Sequence, residues 1–440
     1  MRYRLLIIFS IFCFVEAMAQ DGRQKWAEPQ IPAEWGLERM PHNNANPNVY
    51  VYKDKRYDAL FTRTLGWNGG DGVQTTLLPD GNVFWSFNDS FYGRATDASS
   101  RIRRSSNFPR NSLMVQTPGE DGLPGAENTN FVWLADWVQR EDSTAEGYYH
   151  CRTHLRHPNG EKTEAQIRQG EIDQTWLYWA GDATVVDGRL QMLWAGVYNG
   201  TQNLMQPRNR ALAVYSLEGN PGSPEYLKLL SVDHNFIVHD PIGYGSTLWE
   251  DEDGHTYLYS CYQFRKNAGD LLNTSSPVVA RSRTHDLRSP WEYYVADASG
   301  KFHWQNTYPT PEEARRSAIS SKSVATPWVF KDGDWYYMTA QGFVFAREVY
   351  IMRSRTPWGP FEDCRHLWSM PRELDKLGTR TYQHFYMPHL HQSLSRQGEL
   401  VFSTNTDCKE WADNFNAVGS ADFYRPYFFR VYNWKALFEE

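Results

Sequence analysis

Residues 65–93 read LGWNGGDGVQTTLLPDGNVFWSFNDSFYG, and this stretch decides the fold. Residues 73–78 are rich in Thr, Val and Leu, which favour strands, and residues 83–87 form a second, aromatic-rich run. Between the two runs stands Asp80-Gly81, a pair that tolerates the positive φ angles of tight hairpin turns. We therefore predict one β-hairpin with strands at 73–78 and 83–87.

A carboxylate stands at each open end of this hairpin, because Asp71 precedes the first strand and Asp89 follows the second. A three-residue loop would set Asp71 opposite Asp89, whereas a two-residue loop would set it opposite Ser90, with Asp89 diagonal to it. Opposed residues in a sheet have Cβ atoms about 4.5–5.5 Å apart. Glycoside hydrolysis uses paired carboxyl groups at that range. The alternative is structural, with Asp71 in a Gly-rich turn and Asp89 capping a strand end.

The hairpin recurs along the chain as an apolar strand, a polar turn with Gly, and an aromatic strand. The further copies are residues 182–196, 244–262, 323–341 and 388–404. More strand-like sequence follows each copy, so one unit has about four antiparallel strands, and such units repeated around an axis are the blades of a β-propeller. We therefore predict an all-β fold, a five-bladed β-propeller of four-stranded antiparallel blades. A multi-sheet sandwich would give a similar local pattern, but not the matched hairpins.

Two segments next to the first hairpin carry predictions of their own. Residues 57–63 read YDALFTR, and we predict a short strand that completes the last blade and closes the ring. Residues 94–174 separate the first two copies. Within that insertion, residues 94–104 are rich in Arg and Ser, and we interpret them as a solvated loop that could also cover the cleft.

The beginning of the chain predicts export. Arg2 and Arg4 precede an apolar run at 5–15, and residues 17–19 read Ala-Met-Ala, an A-x-A cleavage site. We predict a signal peptide at 1–19, an N-terminal extended wrap at 20–56 and a single propeller domain at 57–440, in the periplasm or outside the cell. No other apolar run approaches the ~20 residues of a membrane span, so we expect no membrane insertion.

Charge and composition narrow the class of partner. The formal charge is −7, and it becomes −8 when residues 1–19 are removed with their two Arg and one Glu, which argues against nucleic acid as a partner. Trp, Tyr and Phe number 18, 26 and 23, and this aromatic content fits a cleft on which sugar C–H faces stack. We expect a monomer that binds a glycan. The four cysteines after residue 19 allow three disulfide pairings or four free thiols.

Polar residues stand near the starts of the strands that would line the propeller channel. We predict Asp71, Asp89 and Asp182 as catalytic residues. Burial and mutual repulsion can push the pKa values of such carboxyl groups apart, as an acid and its partner require. Asp182 could stabilise the transition state or act as the acid, and its structural alternative is to cap a strand. The three roles cannot be divided among these residues from the sequence.

Five residues of the channel and its surroundings are predicted to bind substrate: Trp67, His239, Tyr244, Gln383 and His389. Trp67 is either a sugar platform or part of the core. The histidines at 239, 384, 389 and 391 fit ordinary hydrogen-bonded side chains better than metal ligands, so we predict no metal site and no cofactor. A structural calcium ion on the axis would suit a propeller, but no segment has the spacing of a calcium loop.

Residues 67–93 resemble the opening blade of a group of exported bacterial propellers known as domains of unknown function. The pattern is Gly-Gly-Asp-Gly, then Leu-x-Asp-Gly, then Trp-x-Phe-x-Asp-(Thr/Ser)-Phe, and further matching segments are 111–113, 179–182, 355–361 and 424–426. One branch of the group resembles endo-D-arabinanases, and this resemblance implies that Asp71 and Asp89 are active-site carboxylates. It also adds Asn68 and Arg425 as candidate substrate-binding residues. The chain departs from the pattern at Asn88 and at Ala183, because Gly is expected at both positions.

These observations favour a secreted glycoside hydrolase that cleaves a polysaccharide or oligosaccharide with a pair of Asp carboxylates, with an arabinan-like glycan as one candidate. The alternative is a non-catalytic carbohydrate-binding propeller, in which the same aromatic side chains would bind sugars and the carboxylates would be turn and cap residues. A third possibility is a lyase or a calcium-dependent enzyme.

Overall fold

The structure is a computed structural model, and it describes residues 26–40, 46–117, 131–134, 137–139, 149–200, 205–263, 275–370, 376–377, 380–381, 384–396, 398–408 and 410–439. The predicted signal peptide at 1–19 lies outside the described residues. The strands, in chain order, are β1 Leu37–Arg39, β2 Tyr50–Asp54, β3 Leu65–Gly70, β4 Gln74–Leu77, β5 Val83–Phe87, β6 Ser90–Ala95, β7 Arg103–Asn107, β8 Ser112–Gln116, β9 Phe131–Leu134, β10 Trp137–Gln139, β11 Tyr149–Cys151, β12 Trp176–Val186, β13 Arg189–Asn199, β14 Met205–Leu217, β15 Tyr226–Ile237, β16 Thr247–Glu250, β17 Thr256–Gln263, β18 Ser275–Ser282, β19 Trp291–Ala296, β20 Phe302–Gln305, β21 Ala325–Asp332, β22 Trp335–Gln341, β23 Glu348–Ser354, β24 Glu362–Ser369, β25 Lys376–Leu377, β26 Arg380–Thr381, β27 His384–Leu390, β28 Glu399–Asp407 and β29 Pro426–Tyr432.

Helices are few and short in the described part. The α-helices are α1 Lys55–Leu60, α2 Glu164–Arg168 and α3 Pro311–Arg316, and the 3-10 helices are Ala33–Trp35, Gln392–Leu394, Trp411–Asn414, Ser420–Asp422 and Trp434–Leu437. Among the described residues, no helix has the length and apolar character needed to cross a membrane. The prediction of a mostly β fold with multiple antiparallel sheets is confirmed.

Within the described residues, the strands form five larger and three smaller sheets. The larger sheets have the strand orders β4-β5-β8-β9, β12-β13-β14-β15, β16-β17-β18-β19-β20, β21-β22-β23-β24 and β1-β2-β29-β28-β27. The smaller ones are β3-β6-β7, β10-β11 and β25-β26. The first β-hairpin continues outward past β4 and β5 into the paired strands β3 and β6.

Hydrogen bonds connect each larger sheet to the next, and the last sheet to the first. They run from the Thr76 hydroxyl to the Ala183 carbonyl (3.4 Å), from the Leu248 N–H to the Asp182 carboxylate (2.8 Å), from the Thr247 hydroxyl to the Pro327 carbonyl (2.9 Å), from the Gln392 amide to the Val329 carbonyl (3.1 Å), and between the Thr75 hydroxyl and His391 Nδ1 (3.0 Å). One edge strand of each larger sheet therefore lies next to that of its neighbour. These edge strands are β4, β12, β16, β21 and β27.

Aromatic side chains fill the spaces between neighbouring sheets. Trp368 on β24 is fully buried, with its ring 4.8 Å from that of Phe429 and 5.7 Å from that of Phe402 in the adjoining sheet. Tyr178 and Trp194 belong to a similar cluster between the first and second of the larger sheets. Each such ring removes a large apolar area from water, so these contacts hold the sheets together.

The sheet that contains the first and the last of the described strands closes differently from our prediction. Strand β2 pairs with β29, so the segment that joins the last sheet is Tyr50–Asp54. The prediction of a strand at 57–63 is wrong, because helix α1 occupies Lys55–Leu60. Asp54 caps that helix by accepting hydrogen bonds from the N–H groups of Arg56 and Tyr57, and the apolar residues at 57, 60 and 61 have helical spacing.

Candidate active site

The open end of the first hairpin brings Asp71 and Asp89 directly opposite each other. Strands β4 and β5 pair from Gln74 with Ser86 to Leu77 with Val83, and the N–H of Leu78 donates to the carbonyl of Asn82 across the turn. The same register continues at the other end, where the N–H of Asp71 donates to the Asp89 carbonyl over 3.2 Å. The hairpin therefore has the three-residue loop of the two alternatives, and Asp71 and Asp89 lie where the β4-β5 pair passes into the β3-β6 pair.

A glycine beside Asp71 makes room for a contact with the second sheet. Gly72 has φ +59°, and a Cβ atom at this position would lie 2.0 Å from Asn88 Nδ2. Asn88 in turn accepts a hydrogen bond from the Ala180 N–H over 2.7 Å. Because any larger residue at 72 would displace Asn88, the Gly-Asp-Gly segment positions Asp71 and joins its strand to β12.

Asp71 is 8% exposed, and its two carboxyl oxygens have different surroundings. Oδ2 accepts hydrogen bonds from the hydroxyls of Tyr386 (2.9 Å) and Tyr424 (3.0 Å), while Oδ1 has no hydrogen-bond partner in the described part of the chain. Burial, together with repulsion from Asp89 and Asp407, raises the pKa of Asp71 to about 8, although the two tyrosine hydrogen bonds act in the opposite direction. These surroundings therefore favour the protonated form of the Asp71 carboxyl group.

Asp89 is 5% exposed and has a cation beside it. Its Oδ1 lies 3.2 Å from Nε of Arg110 and accepts a hydrogen bond of 3.4 Å from Nε1 of Trp179. Burial raises the pKa of Asp89, while the charge of Arg110 and the indole N–H of Trp179 lower it. The two opposed carboxyl groups thus differ, because one has neutral hydroxyl donors and the other a guanidinium.

Asp182 holds two neighbouring sheets together. Its carboxylate accepts the N–H of Ala183 (2.9 Å) and the N–H of Leu248 (2.8 Å), at a point where the pairing of β12 with β13 shifts register. Burial raises its pKa to about 7. Within the described residues, no hydrogen bond joins Asp182 to Asp71 or Asp89. Its geometry is that of the strand cap that we named as the structural alternative.

Three of the predicted substrate-binding side chains are enclosed, which corrects that prediction. Trp67 is fully buried between the rings of Phe61 (5.4 Å) and Phe87 (5.2 Å). Tyr244 is fully buried in a second cluster, and Asn68 is fully buried beside Arg103. An enclosed side chain presents no face to a ligand, so these three residues belong to the interior of the protein.

The other predicted contacts are distributed around the molecule. His389 is buried, bonds through Nδ1 to the Val73 carbonyl, and has its pKa lowered to about 4 by burial, so it is a neutral link between the last and first sheets. Arg425 pairs with Asp422 (3.1 Å) and packs on the ring of Tyr427. His239 is exposed, and Gln383 lies outside the described residues. Among the residues that are described, no group of His, Cys, Asp and Glu side chains is arranged to hold a metal ion.

The interpretation of residues 94–104 as a solvated loop is also wrong in part, since Arg103 is fully buried. Its guanidinium donates to the side-chain and main-chain oxygens of Asn68 (both 2.9 Å), and to the carbonyls of Ser420 (3.1 Å) and Phe423 (3.0 Å). A guanidinium can be enclosed when its five N–H groups all find acceptors. Arg103 therefore fixes the segment that ends at Tyr424, a partner of Asp71.

Comparison with known proteins gives the family of the chain. Residues 54–434 match the family described as Domain of unknown function (DUF5005). The chain belongs to this family. Asp71, Asp89, Tyr386, Asp407 and Tyr424 all lie inside the matched region. No curated protein matches the chain.

The DUF5005 chain is similar to a solved structure over nearly its whole length. That structure is a provisionally assigned hydrolase from Bacteroides ovatus, 52% identical, with a TM-score of 0.87, and the match covers 95% of this chain and 99% of that one. The two proteins therefore share their fold.

More distant matches are glycoside hydrolases. A xylan beta-1,4-xylosidase from Bacillus halodurans is 12% identical, with a TM-score of 0.39 over 79% of this chain and 50% of that one. A thermostable family-43 glycoside hydrolase is also 12% identical, with a TM-score of 0.39 over 83% of this chain and 90% of that one. At this low identity and TM-score, neither match indicates what the DUF5005 chain does.

Sequence reasoning found the two opposed carboxyl groups but missed the residues around them. Tyr386, Tyr424, Asp407 and Arg110 were not among the predicted site residues. Tyr424 stands beside the predicted Arg425, which was the one local signal for it. Arg110 directly precedes the matching segment 111–113, whereas Tyr386 and Asp407 come from distant segments whose own sequence surroundings do not point to Asp71 or Asp89.

Proposed function

We propose that this protein is a glycoside hydrolase that uses Asp71 and Asp89 as its two carboxyl groups. The observation that carries the proposal is their direct opposition in the β-hairpin, with contrasting partners at the two carboxyl groups. Glycoside hydrolysis needs one carboxyl group that donates a proton and one that is ionised. Two buried acids close together do not both ionise at neutral pH, so the pair holds one proton.

The surroundings favour Asp71 as the proton donor. Its Oδ2 is engaged by two tyrosine hydroxyls, so the proton resides on Oδ1, the oxygen without a hydrogen-bond partner among the described residues. Asp89 has Arg110 beside it, and a full positive charge stabilises a carboxylate more than neutral hydroxyls do. We therefore assign Asp71 as the general acid, and Asp89 as the nucleophile or as the base that activates water.

The proposal extends to the fold and to the location. The hydrogen bonds that connect each larger sheet to the next, and the last to the first, support a five-bladed propeller. In this propeller β4 is the strand of the first blade that lines the central channel, and Asp71 stands just before it. Residues 1–19 support export to the periplasm or the cell exterior. The substrate is a glycan, and the resemblance at 67–93 makes an arabinan-like glycan the first to test.

A panel of plant, bacterial and host polysaccharides tests the proposal, with arabinans included and released reducing ends as the readout. We expect the wild-type protein to release sugar from at least one member, and the Asp71→Asn variant to release it roughly 10²–10⁴-fold more slowly while keeping the thermal midpoint of a folded protein. Release by Asp71→Asn at the wild-type rate would overturn the assignment of Asp71.

One observation favours the second candidate, a glycan-binding propeller without catalysis. Both carboxyl groups are less than a tenth exposed, and Asp89 already has an ion-pair partner. In that case a polysaccharide of the panel would bind, would release no reducing ends, and would bind Asp71→Asn as tightly as the wild-type protein.

A further inference from the structure

An exposed aromatic surface adjoins the carboxyl pair. Trp411 is 52% exposed, although it is the largest type of side chain and stands at the start of the 3-10 helix Trp411–Asn414. Its ring lies 5.1 Å from the ring of Phe108, edge to face, and is stacked at 5.5 Å on the ring of Phe91. Phe108 is half-buried and Phe91 is buried, so the exposed ring of Trp411 packs on side chains of the protein interior.

This surface is held in place from behind. The guanidinium of Arg103 lies 4.1 Å from the ring centre of Phe91, and it donates to the carbonyl of Asn414 over 3.2 Å, in the same 3-10 helix as Trp411. The ring of Phe415 packs edge to face on Phe91 at 5.5 Å. Trp411 is thus fixed in orientation while about half of its surface stays exposed, so little side-chain conformational entropy is lost when a ligand binds.

The rings of Trp411 and Phe108 each contact a side chain that in turn contacts one carboxyl group of the pair. The Trp411 ring lies 6.0 Å from the ring of Tyr424, whose hydroxyl donates to Asp71. The Phe108 ring lies 5.2 Å from the guanidinium of Arg110, which pairs with Asp89. The aromatic surface is therefore connected to each carboxyl group through a single intervening side chain.

We propose that Trp411 and Phe108 form a sugar-stacking subsite, which binds one sugar unit of a glycan next to the bond over Asp71 and Asp89. The inference rests on the proposed function, because it assigns the neighbouring unit of the same substrate. Aromatic faces carry negative charge density and attract the C–H face of a sugar, while the hydroxyls of the sugar stay in water. The guanidinium of Arg103 already donates to Asn68, and that of Arg110 is already paired with Asp89, which favours a neutral sugar over an acidic one.

Calorimetric titration with neutral tetrasaccharides of arabinose, xylose, galactose or glucose tests the subsite. The parent is the Asp71→Asn variant, so that binding is measured without turnover. Adding Trp411→Ala should weaken the Kd of the best ligand about tenfold, and Trp411→Phe should recover part of the loss. The matched control is Trp335→Ala, since Trp335 is a half-buried indole packed on Arg355 at the turn end of another sheet.

The outcomes separate this subsite from the proposed function. Equal affinity in Trp411→Ala and its parent, or no binding of any tetrasaccharide by the parent, would overturn the subsite, even if the wild-type protein hydrolyses a polysaccharide. Loss of affinity in Trp411→Ala with no hydrolysis of any polysaccharide would support the subsite and refute the hydrolase. Thermal midpoints equal to that of the parent show that a change in affinity does not come from unfolding.

Discussion

The hydroxyl of Tyr424 donates a hydrogen bond of 3.0 Å to Oδ2 of Asp71, although the two residues are 353 positions apart in the chain. Tyr424 has φ +60°, a left-handed conformation that costs free energy in a residue other than Gly. Its carbonyl accepts the N–H of Gly70 over 2.6 Å, so both ends of Tyr424 are bound next to Asp71. A residue with a strained backbone, held by hydrogen bonds beside a buried acid, is typical of a functional site.

Replacing this tyrosine changes the pH dependence of the activity. Tyr424→Phe removes a hydrogen bond that lowers the pKa of Asp71, so that pKa rises further and the acid stays protonated to higher pH. We expect the alkaline limb of the rate profile to move to higher pH, measured as kcat/KM on the polysaccharide found in the panel. Tyr50→Phe, on a half-buried tyrosine of β2, is the control. A shift to lower pH would contradict the assignment of Asp71 as the acid.

Asp407 should affect the same limb in the opposite direction. This half-buried carboxylate at the end of β28 contributes to the raised pKa of Asp71 by repulsion. Asp407→Asn removes that repulsion, so the pKa of Asp71 falls and activity is lost at a lower pH than in the wild-type protein. Asp334→Asn removes an exposed carboxylate elsewhere and should leave the profile unchanged. An unchanged profile in Asp407→Asn would show that Asp407 does not act on Asp71.

Asp71 should also make stability depend on pH. Its pKa is about 8 in the folded protein and lies above the ordinary value, so the folded state favours the protonated form. Its contribution to stability is complete below the ordinary pKa and is lost as pH rises toward about 8, at up to about 1.4 kcal/mol for each pH unit crossed. Asn does not titrate. The Tm advantage of Asp71→Asn over the wild-type protein should therefore grow between about pH 5 and pH 8 and then level off.

A Tm difference that stays constant across this range, or that shrinks as pH rises, would contradict the raised pKa. Asp334→Asn again serves as the control, since Asp334 is an exposed carboxylate in another part of the molecule.

The hairpin could be predicted from the sequence because its determinants are local. The turn residues Asp80 and Gly81 and the two apolar runs limited the register to two alternatives, and the structure has one of them. The same local reasoning failed at 57–63, where the apolar residues also fit a helix and the cap at Asp54 decides in favour of it. It failed again for Trp67 and Tyr244, because sequence patterns do not distinguish a cleft aromatic from a core aromatic.

The surroundings of Asp71 could not be predicted, since they depend on contacts between distant segments. Tyr386 is 315 positions from Asp71 and reaches it only because the last sheet lies against the first. Arg103 looked like one of several surface arginines, and its burial depends on carbonyls that the segment 414–423 brings to it.

Arg103 should be important for stability. Arg103→Met keeps much of the side-chain length but leaves the side-chain oxygen of Asn68 and several carbonyls without their donor. We expect a loss of about 3 kcal/mol in the free energy of unfolding, measured by urea denaturation. Arg104→Met, at the exposed neighbouring position, should change it by less than about 0.5 kcal/mol. Equal stability of the two variants would show that the enclosed guanidinium does not fix the segment that leads to Tyr424.

The most direct test of the central claim is the rate of reducing-end release by Asp71→Asn and Asp89→Asn on a polysaccharide that the wild-type protein cleaves, with Asp334→Asn as the control. If the opposed carboxyl groups perform the hydrolysis, each of the two variants should remain folded and lose roughly 10²–10⁴-fold in kcat, while the control keeps the wild-type rate. Wild-type rates in both Asp71→Asn and Asp89→Asn would contradict the account.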